Sequence, residues 1–211
     1  MAKINQTKIE AMCANVNSAG TTYVTNMQNS IPKFTNAFNE NWVANDARAL
    51  AGEIVTCVTD MQTKVTETFG KISEIINTNI SNFNSEYQES CSFEGFSVGS
   101  AEVKIELNEK LDDGSTGTAD NAVLDSIKIP MEEIKTHIST LFSTVANEVV
   151  DAGFSAAENT AIQNLIADLK TQFNQSANNV YTSLSDRIAE EKKGKQNVDD
   201  TNVSNLTIAS E

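Results

Sequence analysis

Apolar side chains recur at Met12, Val16, Ala19, Tyr23, Met27, Ile31, Phe34 and Phe38. Steps of three and four residues keep them on one helical face and predict a helix over about 4–39. Pro32 falls inside the stripe and removes one backbone donor, which predicts a kink near Gln28 or Asn29 without ending the pattern. A second stripe runs through Ala47, Leu50, Ile54, Cys57 or Val58, Met61, Val65, Phe69, Ile72, Ile76, Phe83 and Tyr87. It predicts a helix over about 46–89, roughly 65 Å long at 1.5 Å per residue. A rod of that length cannot bury its stripe against itself. A reversal near Trp42 sets Phe38 beside Ala47, Phe34 beside Leu50, Met27 beside Val58, Tyr23 beside Met61 and Met12 beside Ile72, so each apolar residue of one helix meets one of the other.

The pattern changes between Cys91 and Pro130. Ala101-Glu-Val-Lys-Ile-Glu-Leu-Asn alternates apolar and polar side chains, the period of a half-buried strand. Asp112-Asp-Gly-Ser-Thr-Gly reads as a turn and Ala122-Val-Leu-Asp-Ser-Ile-Lys-Ile as a returning strand. A small β-hairpin is therefore expected over 91–129. Pro130 suits the first turn of a third helix carrying Ile134, Ile138, Leu141, Val145 and Val149. After a break at Asp151-Ala-Gly-Phe-Ser, Ser155-Ala-Ala-Glu158 has the form of a capping box. The last helix carries Ile162, Leu165, Leu169, Phe173, Ala177, Val180, Leu184 and Ile188, with its end expected near Lys193-Gly194 and a flexible polar tail over 194–211.

The expected fold is mainly α: two antiparallel helical hairpins, elongated and with four helices in all, with the β-hairpin inserted between them. Hairpin one covers 1–90 and turns at Trp42; hairpin two covers 130–193 and turns at Phe154. Setting Trp42 over Phe154 aligns the hairpins without gaps. Asp46 then falls on Glu158, Ala49 on Ala161, Leu50 on Ile162, Ile54 on Ile166, Cys57 on Leu169, Met61 on Phe173, Val65 on Ala177 and Ile72 on Leu184. An internal duplication and a shared periodicity both account for this alignment. The outer face of the second helix, with Phe69, Ile75 and Ile80, is expected to meet another hairpin or another chain.

Composition narrows the function classes. In 211 residues, 29 acidic side chains against 15 basic ones give a net charge of −14, which disfavours charge-driven binding to nucleic acid or anionic lipid. No run approaches the roughly 18 apolar residues of a membrane span, and no apolar segment of a signal peptide follows Met1. The 24 asparagines and 21 threonines predict a polar surface with few charges. Cys13, Cys57 and Cys91 are odd in number, widely spaced and without a C-x-x-C pair, so free thiols are expected rather than a disulfide framework or zinc site.

Candidate chemistry is sparse. His137, the single histidine, has no histidine or cysteine at helical spacing, and no metal site is expected. Gly95-Phe-Ser-Val-Gly99 lacks the Lys-Ser/Thr of a phosphate loop. Asp112-Asp113-Gly114 lacks the alternating ligands of a calcium loop and reads as a solvated turn. Lys192-Lys193-Gly-Lys195 suits the negative end of a helix dipole. No catalytic, cofactor or metal residues are assigned. The residues singled out for turn formation or interaction are Trp42, Asp46, Ala47, Phe154 and Glu158. An aromatic at each turn acts as a plug over the end of the helix seam.

Trp42-Val-Ala-Asn-Asp-Ala-Arg-Ala-Leu50 resembles the turn and second-helix start of the WXG100 (ESAT-6-like) family, small helical hairpins exported by type VII secretion without a cleaved signal. Trp42, Asp46, Ala47 and Leu50 match the family pattern, and Ala44 stands where glycine is usual. In the second hairpin Phe154 replaces the tryptophan and Ala156 the glycine. Tyr87 and Tyr181 are followed four residues on by Cys91 and Ser185, where the family's export signal has an acidic residue. The resemblance covers about 5–90 and, more loosely, 131–190. It implies a non-enzymatic, self-assembling protein that binds partner helices, forms homo-oligomers and is secreted without a cleaved signal peptide. Neither cofactor, nucleic acid nor small-molecule substrate is expected. The alternative is a structural component of a phage particle or surface filament, placed in a virion or cell-surface assembly.

Overall fold

A computed structural model describes residues 4–43, 47–108, 118–119 and 121–208. In chain order the described elements are α1 (Gln6–Asn41), β1 (Trp42–Val43), α2 (Ala47–Tyr87), β2 (Thr118–Ala119), α3 (Asn121–Asp151) and α4 (Ala156–Ile208). Mainly helical architecture is thus present, and the helix breaks fall after Asn41 and after Asp151. Asn5 caps α1: its side-chain oxygen accepts the Lys8 amide at 3.0 Å and its carbonyl the Ile9 amide at 3.1 Å. Along α1, Met12, Val16, Tyr23, Met27, Ile31, Phe34 and Phe38 are all buried, as are Leu50, Ile54, Met61, Val65, Ile72 and Ile76 along α2. The stripes of the two hairpins match in burial. Leu50 and Ile162, Ile54 and Ile166, Cys57 and Leu169, Met61 and Phe173 are buried at aligned positions, while Ala49 and Ala161 both face solvent. None of the described helices is long and apolar enough to cross a membrane.

The chain divides into two units, each drawing on all four helices. The first takes Met1–Asn29, Val58–Glu102 and Glu133–Gln175. Its core joins the α1 and α2 stripes to Ile134, Ile138, Leu141, Phe142, Val145 and Val149 of α3 and to Ile162, Ile166, Leu169 and Phe173 of α4. The Phe69 ring lies edge-on to Phe142 at 5.3 Å and to Phe96 at 6.0 Å. Of the face expected to meet another hairpin or another chain, Phe69 and Ile80 are buried within this chain, Phe69 against Phe142 of the second hairpin.

Backbone over 91–102, outside helix and strand, lies across this unit's helices and is held by their side chains. The buried Gln62 side chain donates to the Ala101 carbonyl at 2.9 Å and accepts the Ala101 amide at 2.6 Å. Asn84 does the same for Cys91, at 2.7 and 2.9 Å. Gln6 accepts the Ser92 amide and Asn17 the Ser97 amide, at 2.8 and 2.9 Å. The segment crosses α1 at Gly20, where a Cβ would stand 3.0 Å from the Ser97 carbonyl oxygen, so an alanine there would make the backbone of the segment give by a few tenths of an ångström.

The second unit takes Ser30–Cys57, Val103–Glu132 and Ser176–Glu211. Here too a stretch outside helix and strand, 103–108, is held by a helix: Asn39 donates to the Glu106 carbonyl at 3.1 Å and accepts the Asn108 amide at 2.9 Å, while Thr35 accepts the Glu106 amide at 3.1 Å. Two-residue strands β1 and β2 pair antiparallel, Trp42 with Ala119 and Val43 with Thr118. Glu53 ties α2 to α4: the Ser183 hydroxyl and the Arg187 guanidinium donate to its two oxygens, each at 2.6 Å. The Ser183 bond foremost, with the Arg187 bond and charge, holds the Glu53 carboxyl below its ordinary range against the opposing effect of burial.

Several expectations are corrected. The inserted β-hairpin is absent among the described residues. Its first half, over 101–108, forms no strand: burial alternates there as Ala101, Val103, Ile105 and Leu107 do, but the backbone bonds to side chains of helices. Its second half, Ala122–Ile129, belongs to α3. The physical reason is the 127, 131, 134, 138 spacing, which buries Ile127, Met131, Ile134 and Ile138 along one helical face and leaves Ile129 59% exposed. Pro130 consequently sits inside α3 rather than in a first turn. The last helix runs through Gly194 to Ile208, past the end expected near Lys193-Gly194; one glycine costs a helix only about 1 kcal/mol. The turn at Asp112-Asp113-Gly114 lies outside the described residues.

Two predictions follow from these bonds. Gln62→Leu keeps the volume but strands both polar groups of Ala101, so the unfolding free energy should fall by about 2–4 kcal/mol, read from chemical denaturation, with faster hydrogen exchange at the Ala101 amide. For Glu53, a depressed folded-state pKa means stability that is present above the unfolded carboxylate value, about 4.3, and lost as pH falls through the folded value. With its side chain 39% exposed, the pair contributes less than about 1 kcal/mol. Glu53→Gln should therefore be less stable than the wild type at neutral pH, with the gap closing by about pH 3 in acid titrations of the melting temperature.

Candidate functional site

Five backbone and side-chain bonds build the α3–α4 turn. At the end of α3 the Gly153 amide donates to the Val150 carbonyl at 2.9 Å and the Phe154 amide to the Val149 carbonyl at 3.4 Å. This double bond is the Schellman arrangement, which needs a left-handed residue at its centre, and Gly153 supplies it with φ of 94°. Ala152 donates to the Glu148 carbonyl at 2.9 Å. On the far side the Ser155 amide donates to the Glu158 carboxylate at 2.6 Å, and the Ser155 carbonyl accepts the Asn159 amide at 3.1 Å, which opens α4. The Glu158 half of the expected capping box is thereby present. Phe154, held between a helix end and a helix start, is only 8% exposed.

That turn forms one wall of a cleft of about 670 Å³ in the first unit. The opposite wall is the end of α2, which presents Asn79, Asn82, Phe83, Glu86 and Tyr87, and Ile4 completes it at the start of the chain. The Phe83 and Tyr87 rings pack at 5.0 Å. Tyr87 is 50% and Val150 49% exposed, so two of the three large apolar side chains exposed among the described residues lie here. The cleft is thus a concave, partly apolar site edged by the carboxylates of Glu86 and Glu158 and the carboxamides of Asn79 and Asn82.

The sequence-assigned residues separate. Phe154 and Glu158 both line the cleft. Ala47 is the first residue of α2 in the second unit and is 1% exposed, so it packs rather than meets a partner. Trp42 is placed by its backbone alone, in the β1–β2 pair, and Asp46 lies outside the described residues. Val150 escaped the sequence reading, although the signal was present: Val149 and Val150 are adjacent on a helix, so when one faces the core the other turns away. His137 is half-buried on α3. No group of three His, Cys, Asp or Glu able to hold a metal occurs among the described residues. Cys13, Cys57 and Cys91 form no disulfide. Burial first, then Glu94 and Glu10, raises the Cys13 thiol pKa, and burial with Glu89 raises that of Cys91, so neither is an activated nucleophile. No family model, curated protein or solved structure matches the chain.

Phe154→Ala should empty the space behind the turn and lower stability by about 2–4 kcal/mol, whereas Val150→Ser on the open rim should change it by no more than about 0.5 kcal/mol. Thermal or chemical unfolding of both variants checks the contrast; equal losses would show that Val150 is a core residue.

Proposed function

We propose that this chain is a non-enzymatic helical interaction protein of the tandem WXG100-like kind, exported by a type VII route and self-associating or pairing with helices of a protein partner. The observation that carries the reading is the turn at Phe154: a tightly capped reversal between two amphipathic helices that places half-exposed apolar side chains around a cleft. Matching burial at aligned positions of the two hairpins supports the tandem character. The resemblance around Trp42, Ala47 and Leu50 supports the export route. The paired carboxylate and hydroxyl groups that do occur, such as Glu53 with Ser183 and Arg187, brace helices against one another, which supports a role without catalysis.

The second reading, a structural component of a phage particle or surface filament, draws on the same exposed Tyr87 and Val150, which suit repeated lateral packing. Sedimentation velocity of the purified chain separates the two: the secreted-protein reading expects a monomer or small discrete oligomer, the filament reading a polymer growing with concentration. In a host with a type VII system, Trp42→Ala should reduce export several-fold at unchanged intracellular level. Export at the wild-type level would overturn the assignment to that route.

A further inference from the structure

We propose that the cleft at the α3–α4 turn is a docking groove for a helical segment of a partner protein bearing apolar anchors and lysine or arginine side chains, an inference that rests on reading the chain as an interaction protein. Three observations carry it. The α2 wall presents Asn79, Asn82, Phe83, Glu86 and Tyr87, the i, i+3, i+4, i+7, i+8 spacing of a helix face that receives another helix. Its apolar members are not sealed off, since Tyr87 is half exposed and Val150 across the cleft is equally so; a cleft of about 670 Å³ has room for several anchoring side chains at once. The charge is one-sided: Glu86 and Glu158 edge the cleft, and among the described residues that line it none is a lysine, arginine or histidine.

These features select the occupant. An apolar face alone would fill the cleft but leave both carboxylates at the edge of a newly dried surface, which is costly unless a cation meets them. An acidic helix would be repelled, and the more so by a chain carrying 14 excess negative charges. A basic amphipathic helix satisfies both demands, with leucine or phenylalanine against Phe83, Val150 and Phe154 and ammonium or guanidinium groups toward Glu86 and Glu158. Asn79, Asn82 and Ser155 offer hydrogen bonds to its polar flank.

The test uses the full chain and two synthetic helical peptides of about 18 residues, alike in a leucine and phenylalanine face and differing only in lysine or glutamate on the polar face. Fluorescence anisotropy should show the lysine peptide binding about tenfold or more tighter than the glutamate peptide. Raising salt from about 0.1 to about 0.5 M should weaken it several-fold. Val150→Asp, a rim change that leaves the core intact, should abolish binding. Glu86→Lys should remove the preference between the peptides. Ile129→Asp, an exposed apolar position in the other unit, should leave binding unchanged. Equal binding of the two peptides, binding indifferent to Val150→Asp, or binding of neither would overturn the proposal. So would a sedimentation shift from oligomer to monomer in Val150→Asp without peptide binding, because a second copy would then be the occupant. Failure of both peptides with Trp42-dependent export intact would remove the groove and leave the interaction reading standing.

Discussion

An amphipathic helix of 36 or 41 residues holds together only while its apolar stripe is covered, and covering that stripe is the condition on which everything else in this chain rests. Isolated helices gain little from backbone hydrogen bonds in water; packing supplies the stability. Both members of each expected α1–α2 pair fall in the same unit, Phe34 with Leu50 and Phe38 with Ala47 in one, Met12 with Ile72, Tyr23 with Met61 and Met27 with Val58 in the other. All ten are buried. The Tyr23 hydroxyl lies buried in the seam and finds no hydrogen-bond partner among the described residues. Burial pushes its pKa well above the ordinary tyrosine value, so it remains neutral and acts as a bulky apolar plug.

The course of the segment over 91–108 follows from a second requirement, that backbone amides and carbonyls removed from water must be paired. A strand normally meets this with another strand. Ala101 and Cys91 meet it with Gln62 and Asn84, while Gln6, Asn17, Thr35 and Asn39 hold exposed backbone of the same segment. A carboxamide is suited to the task, because its oxygen and nitrogen reproduce the acceptor and donor of a peptide group. Gln62 and Asn84 each bind both groups of one residue, and Asn39 bridges Glu106 and Asn108 as a neighbouring strand would. The abundance of asparagine and threonine has a structural use beyond solvation.

The helices and their buried faces were legible in the sequence because a period of 3.6 residues is written in the positions of Met12 through Phe38 and Ile162 through Ile188. Alternating burial over Ala101–Asn108 was legible for the same reason, with a period of two. The partner of this segment was not, since nothing in an alternating pattern says whether a strand or a row of amides supplies the hydrogen bonds. Ala122–Ile129 misled because eight residues with Ile127 and Ile129 fit alternation, and only the continuation to Met131, Ile134 and Ile138 reveals the helix. Of the turn residues, Phe154 and Glu158 were legible through the Gly-Phe-Ser and Ser-x-x-Glu signals. Val150 and the α2 wall were not, because a cleft depends on which helix ends come together.

The capped turn also explains why an exposed apolar site arises at this place. A Schellman cap places an apolar residue just beyond its glycine, where it folds back on the last turn of the helix; Phe154 occupies that position. Val149 is fully buried, so Val150, one residue on and about 100° around the helix, is turned outward. The helix could not hide both valines without rotating Val145 and Val149 out of the core, and each of these is fully buried. A serine or lysine at 150 would leave the packing of the turn untouched, as the helix requires nothing apolar there. Val150 thus remains 49% exposed beside Phe83 and Tyr87 because the geometry of the capped turn, and not a gap in the packing, directs it to the cleft.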